Sequence, residues 1–301
     1  MSQKVKNGIC CILNERAGRA EPGMPARVSS AFARHGLKPE FLHTSRAGSI
    51  SQLARRAVEG NYEIIVSVGG DGTANAIANV LVGSQVRLGI LPLGTLNHFA
   101  RDLKIPFELD AAVETIVNGG TKAVDVGEVN GVTFLNNSSV GLYPAIIRLR
   151  EGLQRAGYAK WLALIRASIA ILVRFRILKL ELRSKSEPPG QYRTALLFVG
   201  NNKYDMTLTT LGKRATLDQG RLWVMMPAAL GRWRLFATAL ALIFTGEKPA
   251  DLVSFESEAL VVSSKRTRLK VAADGEILQL RSPLKYRIRP KSLLVIVPDG
   301  R

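Results

Sequence analysis

The sequence predicts an α/β domain followed by a β-rich domain, and three observations carry this prediction. Strand-like and helix-like segments alternate over about the first 125 residues, a pattern typical of a mostly parallel sheet. The later part instead contains short strand-like stretches separated by turn residues, which favours antiparallel pairing. The chain has 301 residues, 47% of them hydrophobic, which is enough for two separate cores. We therefore expect a three-layer α/β domain at 1–126 and an antiparallel, sandwich-like β domain at 127–301.

The elements of the first domain are predicted from apolar runs and helix-terminating residues. The run "EIIVSV" is dominated by Ile and Val, as expected of a parallel strand that is buried on both faces. Gly119 and Gly120 end the last helix of this part. The predicted order is "KNGICCILN", a helix near 24–35, "KPEFLHT", a helix near 48–59, "EIIVSVGGDGT", "VRLGILPLGT" and a helix near 110–118.

The second domain is predicted from a hairpin and a series of short strands. Asn130 and Gly131 form a two-residue turn signal, because both residues tolerate a positive φ. The stretch "RSKSEPPGQYR" is expected to be an exposed loop. The strand-like stretches are "ILKLELR", "YRTALLFVG", "GRLWVMM", "ALVVSSK", "RLKVAADGEILQLR" and "LLVIVP".

The turn "GGDGT" at 69–73 lies between a predicted strand and a predicted helix, for which Thr73 is the expected N-cap. Helix N-termini bind anions, and glycines let a phosphate approach the backbone closely. Asp71 would repel phosphate unless a cation lies between them, so we interpret it as a magnesium ligand beside nucleotide oxygens. The alternative is a tight turn in which Asp71 only caps the helix. The P-loop pattern does not match, and Asn75 replaces the third glycine of GxGxxG.

A second strand-turn-helix unit follows in "LGILPLGTLNHFARDLKIP". Thr95 is the expected helix cap, and the helix is expected to bury Leu96, Phe99 and Leu103. If the two strands are neighbours, both helix N-termini face one crevice at the carboxyl end of the sheet. Thr95 and Asn97 would then contact the ligand, or else serve as capping residues alone.

Charge is the strongest compositional feature, with a formal net charge of +18. Ten Lys or Arg residues stand against two Glu between 148 and 185, interleaved with apolar residues. This pattern favours an anionic membrane surface over a nucleic acid as partner, with a core helix that has a solvated basic face as the alternative. No apolar run reaches the length of a bilayer span. The adjacent Cys10 and Cys11 form no disulfide framework, so a reducing cytosol is the expected compartment.

The series "GGDGTAN", "PLGTLNHFARDL", "VDVGEVNGVTFLNNSSVGL" and "ADGE" resembles the diacylglycerol kinase catalytic-domain family, which includes bacterial lipid kinases related to sphingosine and ceramide kinases. The resemblance implies an ATP-binding α/β domain, a C-terminal β-rich domain and an active site between them. It also implies that Glu276 is the general base, with Asp274 tuning it or binding metal. The ATP contacts that it implies are Asn14, Gly18, Thr44, Gly69, Gly70, Asp71, Gly72, Thr73, Asn75 and Thr95.

Two positions depart from the family pattern. His98 stands where the family commonly has Asp, so a role in holding metal-bound water would be lost. In "TLDQG", Gln219 stands where the second Asp of a DDG-like magnesium element is expected, and Asp218 remains as the one acidic candidate ligand.

The sequence and the resemblance together lead us to expect an ATP- and magnesium-dependent lipid kinase. We expect it to be a cytoplasmic protein, peripheral at the inner face of the membrane, with a lipid substrate and no nucleic acid partner. The sequence leaves the oligomeric state undetermined, with a homodimer as one option. The alternatives are a soluble NAD kinase-like enzyme and a lipid-binding protein without turnover.

Overall fold

The structure is a computed structural model, in which the chain forms two compact units. Within the described residues, no helix is long and apolar enough to cross a membrane. Most of the basic segment at 148–185, and Gly18, lie outside the described residues. The structure describes residues 8–14, 23–44, 49–141, 177–185, 190–205, 214, 216–227 and 252–299.

The first unit contains alternating strands and helices, as the sequence predicts. Its strands are β1 (Ile9–Leu13), β2 (Glu40–His43), β3 (Ile64–Gly69), β4 (Arg87–Pro92), the first part of β5 (Gly120–Val129) and the end of β16 (Leu284–Val297). Its described helices are α1 (Met24–Ala33), α2 (Ile50–Glu59), α3 (Asp71–Leu81), α4 (His98–Asp102) and α5 (Leu109–Asn118).

The main sheet of the first unit is parallel, with the strand order β2-β1-β3-β4-β16. Strand β3 is buried along its whole length, which explains its unbroken apolar sequence. Helix α1 packs with α5, and α2 packs with α3. Helix α2 packs on β1, α3 packs on β3 and β4, and α5 packs on β4, so the predicted α/β class of this domain is confirmed.

The boundary between the units falls at 126/127, where strand β5 leaves the first unit. Residues from 290 onward group with the first unit rather than with the expected second domain at 127–301. The physical reason is the parallel pairing of Leu294 and Val295 with Arg87 and Leu88, which adds the chain end as the last strand of the parallel sheet.

The second unit consists of antiparallel strands. The hairpin predicted at Asn130-Gly131 is present, with φ values of 47° and 85° at the two turn residues. Besides the end of β5 and the start of β16, the strands are β6 (Val132–Phe134), β7 (Asn137–Gly141), β8 (Leu178–Ser184), β9 (Gly190–Thr194), β10 (Leu196–Asn201), β11 (Leu222–Pro227), β12 (Leu252–Ser257), β13 (Ala259–Ser264), β14 (Arg268–Ala273) and β15 (Glu276–Arg281).

Two sheets enclose the core of the second unit. One has the order β9-β8-β13-β16, and the other has the order β12-β11-β10-β7-β14-β15. Both contribute fully buried side chains to one hydrophobic cluster, among them Leu260 and Tyr286 from the first sheet and Val199 and Val224 from the second. This is the sandwich-like architecture expected from alternating strand sequences.

The structure corrects two details of the predicted helices. Helix α3 begins at Asp71 with Gly70 as its N-cap, so Thr73 lies inside the first turn and is not the cap. Helix α4 begins at His98 with Asn97 as its N-cap, not Thr95. Because this start is later than predicted, Leu96 precedes the helix and is 51% exposed instead of buried.

Candidate functional site

The glycine turn follows β3 at the point where the strand order of the parallel sheet reverses. Strand β2 lies on one side of β1, and β3, the next strand in the sequence, lies on the other side of β1. The carboxyl ends of β1 and β3 therefore border a switch point. Asn14 directly follows β1, and its backbone N–H donates to the carbonyl of Val68 at 3.2 Å. Open α/β sheets bind ligands at such a crevice, which makes this edge the first place to search for a site.

The two predicted turns lie against each other, because β3 and β4 are adjacent and parallel. The backbone N–H of Leu93 donates to the carbonyl of Gly69 at 2.9 Å. A Cβ on Gly94 would lie 2.5 Å from the Cα of Gly70, and a Cβ on Gly69 would lie 2.4 Å from Oγ1 of Thr73. Glycine is therefore required at these positions by the packing of the two turns.

Asn97 holds the second turn in shape. Its Oδ1 accepts the backbone N–H of Gly94 at 2.9 Å, and its Nδ2 donates to the carbonyls of Pro92 and Gly94 at 3.2 and 2.8 Å. The residue is 4% exposed and adopts the left-handed conformation, with φ 49°. Its side-chain amide thus holds the turn together, and contact of Asn97 with a ligand stays a prediction. Thr95, by contrast, is exposed in the same turn.

The carboxylate of Asp71 caps the neighbouring helix α4. Its Oδ2 accepts the backbone N–H of His98 at 3.1 Å, and its Oδ1 accepts that of Phe99 at 3.2 Å. These N–H groups belong to the first turn of α4, where no intrahelical acceptor exists. Asp71 is only half-buried, and each carboxylate oxygen has a further lone pair. Capping therefore orients this carboxylate and leaves it able to accept another ligand.

The start of helix α3 offers free backbone donors beside Asp71. Within the described residues, no acceptor contacts the backbone N–H of Asp71 or of Gly72. Gly72 is exposed, and a Cβ built on it would meet no described atom within 4 Å. Its backbone does not require glycine either, because its φ is not positive. Unlike Gly69, Gly70 and Gly94, Gly72 borders a space that none of the described residues occupies.

Asn14 and Asn75, two further predicted residues, lie at this helix start. The Nδ2 of Asn14 donates to Oγ1 of Thr73 at 3.0 Å, which ties the end of β1 to the glycine turn. Asn75 is 6% exposed, and none of the described residues donates a hydrogen bond to its Oδ1. Thr44 follows β2 and is half-buried. The structure thus brings Asn14, Thr73 and Asp71 together around one turn.

In the second unit, Asp274 and Gly275 form the turn between β14 and β15, with φ values of 46° and 88°. The carboxylate of Asp274 accepts backbone N–H groups from Leu135, Asn136 and Asn137 at 2.6, 2.8 and 3.0 Å. Burial raises the pKa of Asp274 to about 6, although these three N–H groups and the charge of Arg214 act to lower it. Asp274 therefore fixes a loop and lies in the turn that precedes the strand of Glu276.

Glu276 is the first residue of β15 and is exposed. It directly follows the Asp274-Gly275 turn, so the hydrogen bonds of Asp274 hold the backbone of Glu276 in place. The side chain is accessible to a substrate, as a general base requires.

Arg214 is a buried cation that sequence reasoning missed. It is 5% exposed, and its guanidinium donates to the carbonyls of Leu135 and Asn201 at 2.6 and 3.1 Å and to Oδ1 of Asn136 at 2.8 Å. It also lies over the ring of Tyr204, 5.4 Å from its centre. Its sequence context, "GKRATLDQG", suggests one more exposed charge, because nothing local marks this Arg as buried.

The turn around Asp218 contains no described cluster of acidic ligands. Asp218 is half-buried, and the exposed Gln219 uses its backbone N–H to donate to Oδ1 of Asn202 at 3.1 Å. Across the described parts of the chain, no group of three or more His, Cys, Asp or Glu side chains could hold a metal ion. The role of Asp218 as a metal ligand stays a prediction.

The fold and the turns define the first unit as a doubly wound α/β domain with a glycine turn at its switch point. Comparison with known proteins gives the family. Residues 8–129 match the family profile described as "Diacylglycerol kinase catalytic domain", which confirms the resemblance.

Curated relatives align with the same part of the chain. The chain is 36% identical over 119 residues to a diacylglycerol kinase of Bacillus subtilis (strain 168), which covers 38% of this chain and 39% of that protein. It is 36% identical over 110 residues to a diacylglycerol kinase of Staphylococcus haemolyticus (strain JCSC1435), covering 36% and 33%. The match thus spans less than half the length of these relatives.

Solved structures extend the likeness of the fold to nearly the whole chain. A diacylglycerol kinase structure from Bacillus anthracis str. Sterne has a TM-score of 0.68 at 18% identity and covers 97% of each chain. Another structure from the same organism has a TM-score of 0.75 at 20% identity with the same coverage. The predicted α/β plus β-rich fold class is therefore confirmed.

Proposed function

We propose that this protein is an ATP- and magnesium-dependent kinase that phosphorylates a hydroxyl of a diacylglycerol-like lipid. The similarity of residues 8–129 to diacylglycerol kinases supports a lipid kinase over the NAD kinase-like alternative. The observation that carries the proposal is the glycine turn at the switch point, where no described residue accepts the backbone N–H groups of Asp71 and Gly72 or fills the space beside Gly72. These features suit the phosphates of a nucleotide.

The packing of the two turns supports phosphate binding for a physical reason. Gly69, Gly70 and Gly94 are needed for the protein's own packing, whereas Gly72 is not. A glycine that neither packing nor backbone conformation requires is explained if a ligand approaches the backbone there. The helix dipole of α3 adds favourable electrostatics for the phosphate at the same place.

Asp71 would hold the magnesium ion that accompanies the nucleotide. The two backbone N–H groups at 3.1 and 3.2 Å fix its orientation, and its remaining lone pairs are hard oxygen donors of the kind that magnesium prefers. Magnesium would supply positive charge to offset the charge on the phosphate oxygens during transfer.

Glu276 would orient the lipid hydroxyl and accept its proton. Phosphoryl transfer needs little covalent participation by the protein, but a positioned carboxylate that takes the proton of the attacking hydroxyl lowers the barrier. The exposed position of Glu276 and its attachment to the fixed Asp274 turn support this role. The family resemblance is the reason for assigning it to Glu276 rather than to another exposed carboxylate.

Transfer of labelled phosphate from ATP to a panel of lipid alcohols, with NAD included, tests the proposal. We expect a labelled lipid and no labelled NAD, and we expect Asp71→Asn to lower the rate by roughly 100-fold or more, as loss of a metal-positioning group does. Asp110→Asn is the matched control, because Asp110 lies in the first turn of α5 and is exposed.

Three outcomes would contradict the proposal. The first is lipid binding without any turnover, which would favour the non-catalytic alternative. The second is labelling of NAD. The third is an Asp71→Asn variant that is as active as Asp110→Asn.

A further inference from the structure

The outer surface of one sheet in the second unit is strongly basic, and strand register places its charges on one side. In β8, β13 and β16 the side chains alternate between the two faces of the sheet. Leu180, Leu260 and Tyr286 represent the inner side, where they join the core. The side chains at alternating positions therefore project to the outer side. We call this surface the cationic sheet face; its basic residues are Lys179, Arg183, Arg193, Lys265, Lys285, Arg287 and Arg289.

Acidic side chains compensate only part of this charge. Glu181 pairs with Arg183 at 2.6 Å, and Glu128 pairs with Arg287 at 2.8 Å and with Arg289 at 3.6 Å. Seven basic residues against two acidic ones leave a net charge of +5 on the face. Within the described part of the chain, no acidic side chain pairs with the four remaining basic residues, which are Lys179, Arg193, Lys265 and Lys285.

Three of these unpaired cations meet at one end of the face. Arg193 lies directly opposite Lys179 across the β8–β9 pair, and Lys265 lines the same depression of about 460 Å³. Gln191 and Ser263 add polar groups to its lining, and Glu181, which pairs with Arg183, adds one carboxylate, so the three cations leave the lining with a net positive charge. Like charges directly opposite each other on neighbouring strands are destabilising. An anion bound between these three side chains would remove that repulsion.

We propose that the cationic sheet face docks on the anionic surface of a phospholipid bilayer, with the depression between Lys179, Arg193 and Lys265 receiving a lipid phosphate. The choice of occupant rests on the proposed lipid kinase function, because a lipid substrate is presented by a membrane. Lys179 and Arg183 of this face belong to the basic segment at 148–185 that the sequence singled out for the same partner, whereas its other basic residues lie outside that segment.

The side chains on the face favour a bilayer over a nucleic acid. Gln191, Ala259, Val261 and Ser263 lie between the basic residues, and the described residues of the face include no aromatic side chain on which a base could stack. The cations are spread over a broad sheet surface and do not line a narrow groove. This arrangement suits a membrane surface better than a nucleic acid strand. Each Lys or Arg near an anionic membrane contributes about 1 kcal/mol to binding.

Binding of the full chain to vesicles tests the inference. The variant K179Q/R193Q/K265Q is compared with the wild type by co-sedimentation with phosphatidylcholine vesicles, with and without phosphatidylglycerol, in the absence of nucleotide. We expect the wild type to bind the anionic vesicles, with an affinity that falls steeply with salt. We expect the variant to bind them about 100-fold more weakly, which follows from about 1 kcal/mol for each lost charge.

The matched control removes the same charge from the other sheet. R268Q/K270Q/R281Q changes three exposed basic residues on β14 and β15, and we expect it to retain wild-type binding within a few-fold. Equal losses in both variants would overturn the inference, since total charge alone would then explain binding. Wild-type affinity of K179Q/R193Q/K265Q for anionic vesicles would also overturn the inference. If this variant lost binding to an oligonucleotide but kept binding to vesicles, the face would bind nucleic acid instead, and the inference would be wrong.

The vesicle result is independent of the kinase test. Vesicle binding needs no catalysis, and phosphate transfer can be measured on lipid dispersed in neutral detergent. Loss of vesicle binding with normal transfer in detergent supports the docking surface. Absence of transfer in the wild type would reject the proposed function and leave the vesicle comparison intact.

Discussion

Replacing Arg214 by Met is expected to destabilise the second unit in a pH-dependent manner. The substitution removes three hydrogen bonds from the guanidinium and leaves Oδ1 of Asn136 and the carbonyl of Asn201 without this donor. The carbonyl of Leu135 retains the Nδ2 of Asn201 at 2.8 Å. Two buried acceptors lose a charged donor, and Asp274 loses a nearby cation. Together these losses should lower the free energy of unfolding by about 3–5 kcal/mol.

The pH dependence follows from Asp274. Its pKa is about 6 in the folded protein and 3.8 ordinarily, so the folded state holds this proton more tightly than the unfolded chain does. The contribution of this group to stability is therefore fully present below about pH 4 and is lost as the pH rises through about 6. Arg214 limits that loss, because its charge stabilises the ionised carboxylate.

Removing Arg214 should raise the pKa of Asp274 further, and each unit of increase corresponds to about 1.4 kcal/mol. We therefore expect Arg214→Met to lower the free energy of unfolding more at pH 8 than at pH 5, by about 1–2 kcal/mol for a rise of roughly one unit. Urea unfolding at both pH values measures this difference. Arg214→Lys is the control, because it keeps the charge and loses the planar hydrogen-bonding geometry.

Two results would refute this reasoning. One is a destabilisation by Arg214→Met that is the same at pH 5 and pH 8, because the charge of Arg214 would then not act on Asp274. The other is an Arg214→Lys variant with as large a pH-dependent loss as Arg214→Met. If the Met variant does not fold, the Lys variant and the wild type still give the comparison across pH.

Three further predictions concern the glycine turns, the general base and the second-domain metal. Gly72→Ala should leave the urea midpoint nearly unchanged and raise the KM for ATP. Gly94→Ala should lower the midpoint, because a Cβ at Gly94 would lie 2.5 Å from the Cα of Gly70. Equal midpoints of the two variants would contradict this distinction. Glu276→Gln should lower the turnover roughly 100-fold without unfolding the protein, and near-normal turnover would reject the base assignment. Calorimetric magnesium titration of the nucleotide-free protein should detect no tight site, and Gln219→Asp should create or tighten one. A tight wild-type site that Asp218→Asn abolishes would show the opposite.

The strand-turn-helix units were predictable because their signals are local. The apolar run of β3, the glycines that follow it and the periodic residues of α3 lie within about twenty residues, and the interactions that decide such elements span only a few positions. The same holds for the Asn130-Gly131 hairpin, whose conformation depends on two residues that accept a positive φ. The glycine turn as an anion-binding candidate could thus be found from the sequence alone.

The details of the site depend on contacts that are distant in sequence. Asp71 caps a helix that begins 27 residues later, and Asp274 accepts hydrogen bonds from a loop about 138 residues earlier. Neither pairing has a local signal, because any exposed Asp at a turn looks the same in sequence. The contact of Asp71 with the first turn of α4 has no local signal either, and Thr95 was wrongly predicted as the cap of that helix. Thr73 was wrongly predicted as the cap of α3, which begins two residues earlier at Asp71.

Burial and register were decided by the tertiary structure for the same reason. The sequence established a large positive charge, but only the pairing of β8, β9, β13 and β16 aligns Lys179, Arg193 and Lys265 on one face. Likewise, only the packing of three strand ends creates the cluster of carbonyl and amide oxygens that surrounds Arg214. Composition and periodicity determine which segments form strands and helices, whereas the partner of each charge is determined by which segments the fold brings together.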